Sequence, residues 1–338
     1  MTGSDVTRDG VEGARPGRDA LTGAHTGRRR RRRGEQPMVP DAQFSSSYYG
    51  KPILNKPTWE PLDIAGYLYL GGLAGASSLL AAGGHATGRP ALARTAKLGA
   101  AGAISLSLAA LVHDLGRPAR FVNMLRVFKP TSPMSVGSWL LAGYAPLAMT
   151  AAATHVANRY RIIAAVSTAG AAALGPAVAT YTAVLITDTA VPSWHEGYRE
   201  MPFVFAGSAA SAAAGLALAC SPAQQARPAH RMAVLGAALE LGAFRLMKRR
   251  LGLAAEPYER GKPHILLRSA EALTAGGAVM AAFASRRGTR WPAAAAGAAL
   301  LAGSAALRFA VFHAGVASAE DPKYTVVPQR DRLKAREG

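Results

Sequence analysis

Long apolar blocks recur along this chain between residues 62 and 318, each separated from the next by a short polar gap. Ala, Gly, Leu and Val dominate the blocks, and charged residues gather in the gaps. Eight blocks stand out: 62–83, 95–112, 136–155, 162–187, 201–220, 229–247, 269–285 and 291–317. A helix that crosses the hydrocarbon core of a bilayer needs about 20 mostly apolar residues. The pattern therefore predicts an all-α integral membrane protein, with eight transmembrane helices arranged as helical bundles. Small residues let helices approach closely in lipid. The run from Gly71 to Ala76 is a patch suited to such a contact.

Composition shifts mark the boundaries. Residues 1–43 read as a disordered basic tail, polar and without periodicity, with an unbroken arginine run from Arg28 to Arg33. Residues 44–61 form a pre-membrane segment, 62–318 the membrane domain and 319–338 a polar C-terminal tail. The arginine run is followed by Gly34-Glu35-Gln36-Pro37 rather than an apolar stretch, which excludes a twin-arginine export signal. The formal charge of +19 is then best read as basic flanks against a membrane surface, with no nucleic-acid partner. Cys220 is the single cysteine. One cysteine excludes an intrachain disulfide, a thiolate-ligated cluster and a Cys-rich zinc site, and no metal is expected to be bound.

With eight spans, both termini share one side. That side carries the arginine run, the basic C-terminal tail and the loops 113–135, 188–200 and 248–268. Positive loops stay in the cytoplasm, so both termini are expected there, in a multi-pass protein of the cell (inner) membrane. Most of the reactive side chains fall at the same end: Asp63 and Tyr67 where the first helix opens, His113 and Asp114 where the second closes, Tyr181 near the end of the fourth.

Three stretches carry a family resemblance. "DLGRPARFVNMLRVFKPTSPMSVGSWLL" resembles the signature loop of the NrfD/polysulfide-reductase family of integral membrane subunits. "PTWEPLDIAGYLYLGGLAGASSLLAA" is similar to that family's first helix, and "GPAVATYTAVLITDTAVPSWHE" to its fourth helix and the loop after it. The resemblance implies a heme-free, eight-helix, quinone-binding subunit of a respiratory complex. A ferredoxin-like iron–sulfur subunit and a molybdopterin catalytic subunit would hold the iron–sulfur and molybdenum cofactors beside it. It implies a quinone as the ligand, menaquinone being favoured, and it places the family's helix-four tyrosine on Tyr181. The first helix departs from the family: Glu60, Asp63 and Tyr67 stand where members often carry Asn or His.

Chemistry gives these residues roles. A quinone needs an apolar slot, hydrogen-bond partners for two oxygens and a group that exchanges protons. Tyr181 and Tyr67 can donate to a carbonyl, His113 offers an imidazole that can exchange a proton, and Asp63 completes the expected quinone-binding set. Asp114 either relays protons or pairs with Arg117 to hold the loop. Arg117, Arg120, Arg126 and Lys129 form the expected partner-docking loop. Ser132 or Ser135 is placed to cap the third long helix. Deeper in the bundle, Glu240 and Arg308 lie about 10 Å and 13 Å from the inner ends of their helices. Charges there are costly, so they either form a static pair or belong to a proton relay. Two other functional classes remain in view: a secondary transporter with Glu240 and Arg308 on its path, and a structural anchor without a quinone site.

Overall fold

Proline marks where the helices begin. Pro61, Pro90, Pro133, Pro192, Pro202 and Pro228 each stand in the first turn of a helix, where a missing N–H breaks no bond and φ is already helical. The computed structural model describes residues 6, 7, 10, 11, 54, 57–116, 119–287 and 290–337. Its helices are α1 (Pro61–Ala86), α2 (Pro90–Asp114), α3 (Ala119–Met124), α4 (Pro133–Ala157), α5 (Arg161–Thr187), α6 (Pro192–His195), α7 (Met201–Cys220), α8 (Arg227–Leu251), α9 (Gly261–Arg287), α10 (Arg290–Glu320) and α11 (Lys323–Glu337). A two-stranded antiparallel pair joins Val6–Thr7 to Gly10–Val11. The rest of the basic tail, including the arginine run, lies outside the described residues.

A long helix forms at each of the eight expected blocks. Seven of them, α1, α2, α4, α5, α7, α9 and α10, are long and apolar enough to cross a membrane. The expected eighth span is not among them. The exception is α8, which carries Arg227, Arg231, Glu240, Arg245 and the Lys248-Arg249-Arg250 run within its 25 residues. The polar C-terminal tail is also more ordered than a tail suggests: α10 runs on to Glu320, and α11 follows with Lys323 bound to Glu256 at 2.6 Å.

Two four-helix groups result. In the first, α1 packs on α2 and α5, and α4 packs on α5 and α2; in the second, α7, α8, α9 and α10 pack in the same cyclic manner. They share a seam where α1 meets α7 and α10. Small residues make the close crossings possible. A Cβ on Gly75 would run into the backbone carbonyl of Gly175, and one on Gly236 would stand 2.8 Å from the Ser211 nitrogen. The first contact falls in the small-residue patch read from the sequence. Ser78 and Tyr144 add a 2.7 Å hydrogen bond between α1 and α4 inside the first group.

Outside the bundle, the end that carries the C-terminal segment is pinned by charge. Arg250 donates from Nε and Nη2 to the two oxygens of Glu200, at 2.7 and 2.6 Å, and so ties the end of α8 to the start of α7. These hydrogen bonds hold the Glu200 carboxyl below its ordinary value. A carboxylate depressed in the folded state adds stability that is fully present above its unfolded value of about 4.3 and is lost as pH falls through the lower folded one. The melting midpoint of the wild type should therefore fall more steeply between about pH 5 and 3 than that of Glu200→Gln. Equal slopes in a thermal-melt series would contradict the pin.

Candidate functional site

At the end of the first group where α1 begins, four helix ends leave an apolar cleft. The start of α1, the end of α2, the start of α4 and the end of α5 surround it, and it holds a cavity of about 90 Å³ that opens to the surroundings. Leu68, Met134, Leu141 and Leu185 give it greasy walls, and the polar side chains that face it include Tyr67, Tyr181 and Asp114.

The two tyrosines meet across the cleft. Tyr67 on α1 is buried and Tyr181 on α5 is half-buried; their hydroxyls are hydrogen-bonded to each other, and their rings stand edge to face with centroids 6.5 Å apart. Gly137 on α4 makes room for this pair, because a Cβ there would enter the space of the Tyr181 ring. On the opposite side of α1, Ser107 donates to the Tyr67 carbonyl at 3.2 Å and keeps α2 against it. Asp114 accepts from the Glu60 backbone N–H at 3.3 Å, which ties the end of α2 to the chain just before α1.

Asp63 and His113 are brought together, but beside the cleft rather than in it. Asp63 Oδ2 and His113 Nδ1 are 2.6 Å apart, and neither side chain lines the cleft. Half of the His113 side chain is exposed while Asp63 is largely covered, so the pair reaches from the rim to the bulk. Of the docking loop, Arg117 lies outside the described residues. Arg120, Arg126 and Lys129 are exposed, and Arg120 donates to the Leu115 carbonyl at 3.1 Å. Gly116 adopts φ +70°, the turn that the Gly-Arg-Pro order suggests. Ser132 caps α4 by accepting from the Ser135 N–H at 3.5 Å.

Glu240 and Arg308 do not line this cleft; they sit in the second group, almost fully buried, with Arg308 Nη2 close to Gly72 of α1. They do not form a direct ion pair among the described residues. Thr274 donates to Glu240 Oε1 at 3.0 Å, and Arg308 Nη2 donates to the Phe205 carbonyl at 3.0 Å with its guanidinium over the Phe205 ring. Among the described residues, Glu240 Oε2 and Arg308 Nε and Nη1 have no hydrogen-bond partner. Glu271 on α9 pairs with Arg268 at 3.1 Å.

Sequence reasoning missed two structural parts of the site. Trp194 is fully buried, donates to the Val311 carbonyl at 2.7 Å and stacks on Trp59, which faces the cleft. It joins the cleft to the second group through α6 and α10. Gly137 was the other, a residue whose importance is the side chain it lacks. Among the described residues no group of three or more His, Cys, Asp or Glu is placed to hold a metal ion.

The family profile described as "Polysulphide reductase, NrfD" matches residues 54–318, most of the chain and all eight long helices apart from the last residues of α10. No curated protein matches the chain.

Proposed function

The chain belongs to the NrfD, polysulphide reductase, family, and from that membership and the two-tyrosine cleft we propose that it is the quinone- or quinol-binding membrane subunit of a respiratory molybdoenzyme complex. The family suggests a membrane subunit of a polysulfide- or molybdoenzyme-type reductase complex, and such subunits generally work with iron–sulfur and molybdopterin subunits. Seven apolar helices and the family agree on a multi-pass membrane protein. We take α8 as the eighth span, with Glu240 buried inside the second group, and place both termini in the cytoplasm on the positive-inside rule. The membrane is then the cell (inner) membrane.

The observation that carries the quinone reading is the hydroxyl pair of Tyr67 and Tyr181 at the head of an apolar cleft. A carbonyl oxygen that enters between them displaces one hydroxyl contact and receives two donors. The walls take the ring, and Asp114 receives or supplies the proton. Asp63 and His113 at the rim carry that proton to bulk water. Menaquinone is the quinone we favour. The bound quinone supplies the two-electron chemistry, and electrons pass to or from an iron–sulfur cluster of the partner docked on the exposed basic loop of Arg120, Arg126 and Lys129. Arg117 belongs to that loop by position in the sequence.

Tyr181→Phe in the assembled complex tests the reading. Loss of one donor should lower turnover with a naphthoquinone analogue by about 100-fold, with electron transfer from the enzyme's own substrate to an artificial dye unchanged. Unchanged quinone turnover would assign the chain an anchoring role instead.

A further inference from the structure

The opposite end of the molecule holds a second open space. α1 and α8 both pack on α7 but barely touch each other, which leaves a groove of about 630 Å³ with Ala210 of α7 among its lining residues. Its rim is arginine: Arg89 just after α1, and Arg227 and Arg231 in the first turns of α8. Its walls are exposed leucines, with Leu79 from α1 and Leu235 and Leu239 from α8. No acidic side chain lines it. Among the described residues neither Arg227 nor Arg231 meets a carboxylate, and Arg89 reaches only the Thr87 carbonyl, at 3.1 Å.

We propose that this groove is a binding site for an anionic phospholipid, its phosphate held by Arg89, Arg227 and Arg231 and an acyl chain laid along Leu79, Leu235 and Leu239. Charge and length both select that occupant. Guanidinium groups bind phosphate oxygens in paired hydrogen bonds, and three of them without a counter-charge leave the rim in need of an anion. From Arg227 to Leu239 the helix rises about 18 Å at 1.5 Å per residue. One leaflet of the hydrocarbon core is about 15 Å deep. A phosphate at the rim thus leaves the acyl chain running down the leucines to mid-membrane. A free phosphate would use the rim and leave the walls bare. The site is independent of the quinone cleft, which lies at the other end of the bundle.

Native mass spectrometry of the full-length protein, released from nanodiscs of equal phosphatidylglycerol and phosphatidylcholine, tests this. The wild type should retain phosphatidylglycerol over phosphatidylcholine by roughly tenfold. Arg227→Gln with Arg231→Gln should remove the preference. Leu235→Trp, which fills the groove and leaves the charge alone, should reduce the bound lipid. Both sites are exposed, so the fold should persist, and an unchanged melting midpoint verifies it. Equal retention of the two lipids, displacement by millimolar inorganic phosphate, or a preference that survives either variant would overturn the proposal.

Discussion

Gly137→Ala should nearly abolish quinone turnover while the helices stay assembled. The added methyl would occupy the space of the Tyr181 ring. Neither α4 nor α5 can retreat easily, since they pack along their length. The ring must therefore swing away and leave Tyr67 without its partner. One donor to the quinone oxygen is displaced and the other loses its partner, and removal of one such donor alone is worth about 100-fold in rate. The effect should match or exceed that of Tyr181→Phe. Glycine within a helix is less stable than alanine by roughly 0.5–1 kcal/mol, so the backbone change itself favours the fold. Steady-state turnover with a naphthoquinol analogue, beside a melting curve, separates the two effects. Turnover within twofold of wild type would show that the ring and the cleft are not coupled.

Arg308→Met should cost about 3–5 kcal/mol of stability, the usual penalty for stranding a buried charge. Glu240 would be left as a buried carboxylate with Thr274 as its donor and no cation nearby. The double change Arg308→Met with Glu240→Leu should recover most of that loss, because a buried charged pair can be replaced by apolar groups at little net cost. We also propose that Glu240 holds a proton during turnover. Its free Oε2 and the free Nε and Nη1 of Arg308 leave hydrogen-bonding capacity that bridging water would use. Glu240→Gln keeps the shape and removes the charge. Normal quinone turnover with normal proton release in that variant would reduce the pair to a structural one. Single-mutant losses that simply add in the double mutant would remove the pair altogether.

Helix positions were legible because the signal is long and simple. Apolar blocks and first-turn prolines fix where each helix begins, and Gly75 in the small-residue patch does meet a glycine of another helix. The number of spans was less legible. α8 has the length but carries exposed arginines toward both ends and the buried Glu240 between them, and an average over its residues cannot tell a charge that faces protein from one that faces outward. In the site, Tyr67, Tyr181 and Asp114 were readable as polar side chains clustered at one end of the chain's helices. Their mutual geometry was not, since Tyr67 and Tyr181 are 114 residues apart. His113 shows the same limit from the other side. Its position suggested the head group, yet its first partner is Asp63, one turn into α1. Trp194 was read only as part of a polar loop, because burial by a distant helix leaves no local mark.

A quinone in the Tyr67–Tyr181 cleft can be detected directly. Trp59 faces that cleft, so a bound quinone analogue should quench its fluorescence. The direct measurement is a quenching titration of the purified protein, together with its iron–sulfur partner, in the wild type and Tyr181→Phe. The account predicts saturable quenching in the wild type and affinity weakened by about tenfold or more in the variant, the loss of one buried hydrogen bond to the ligand. No saturable quenching in a folded wild type, or equal affinity in the two proteins, would contradict it.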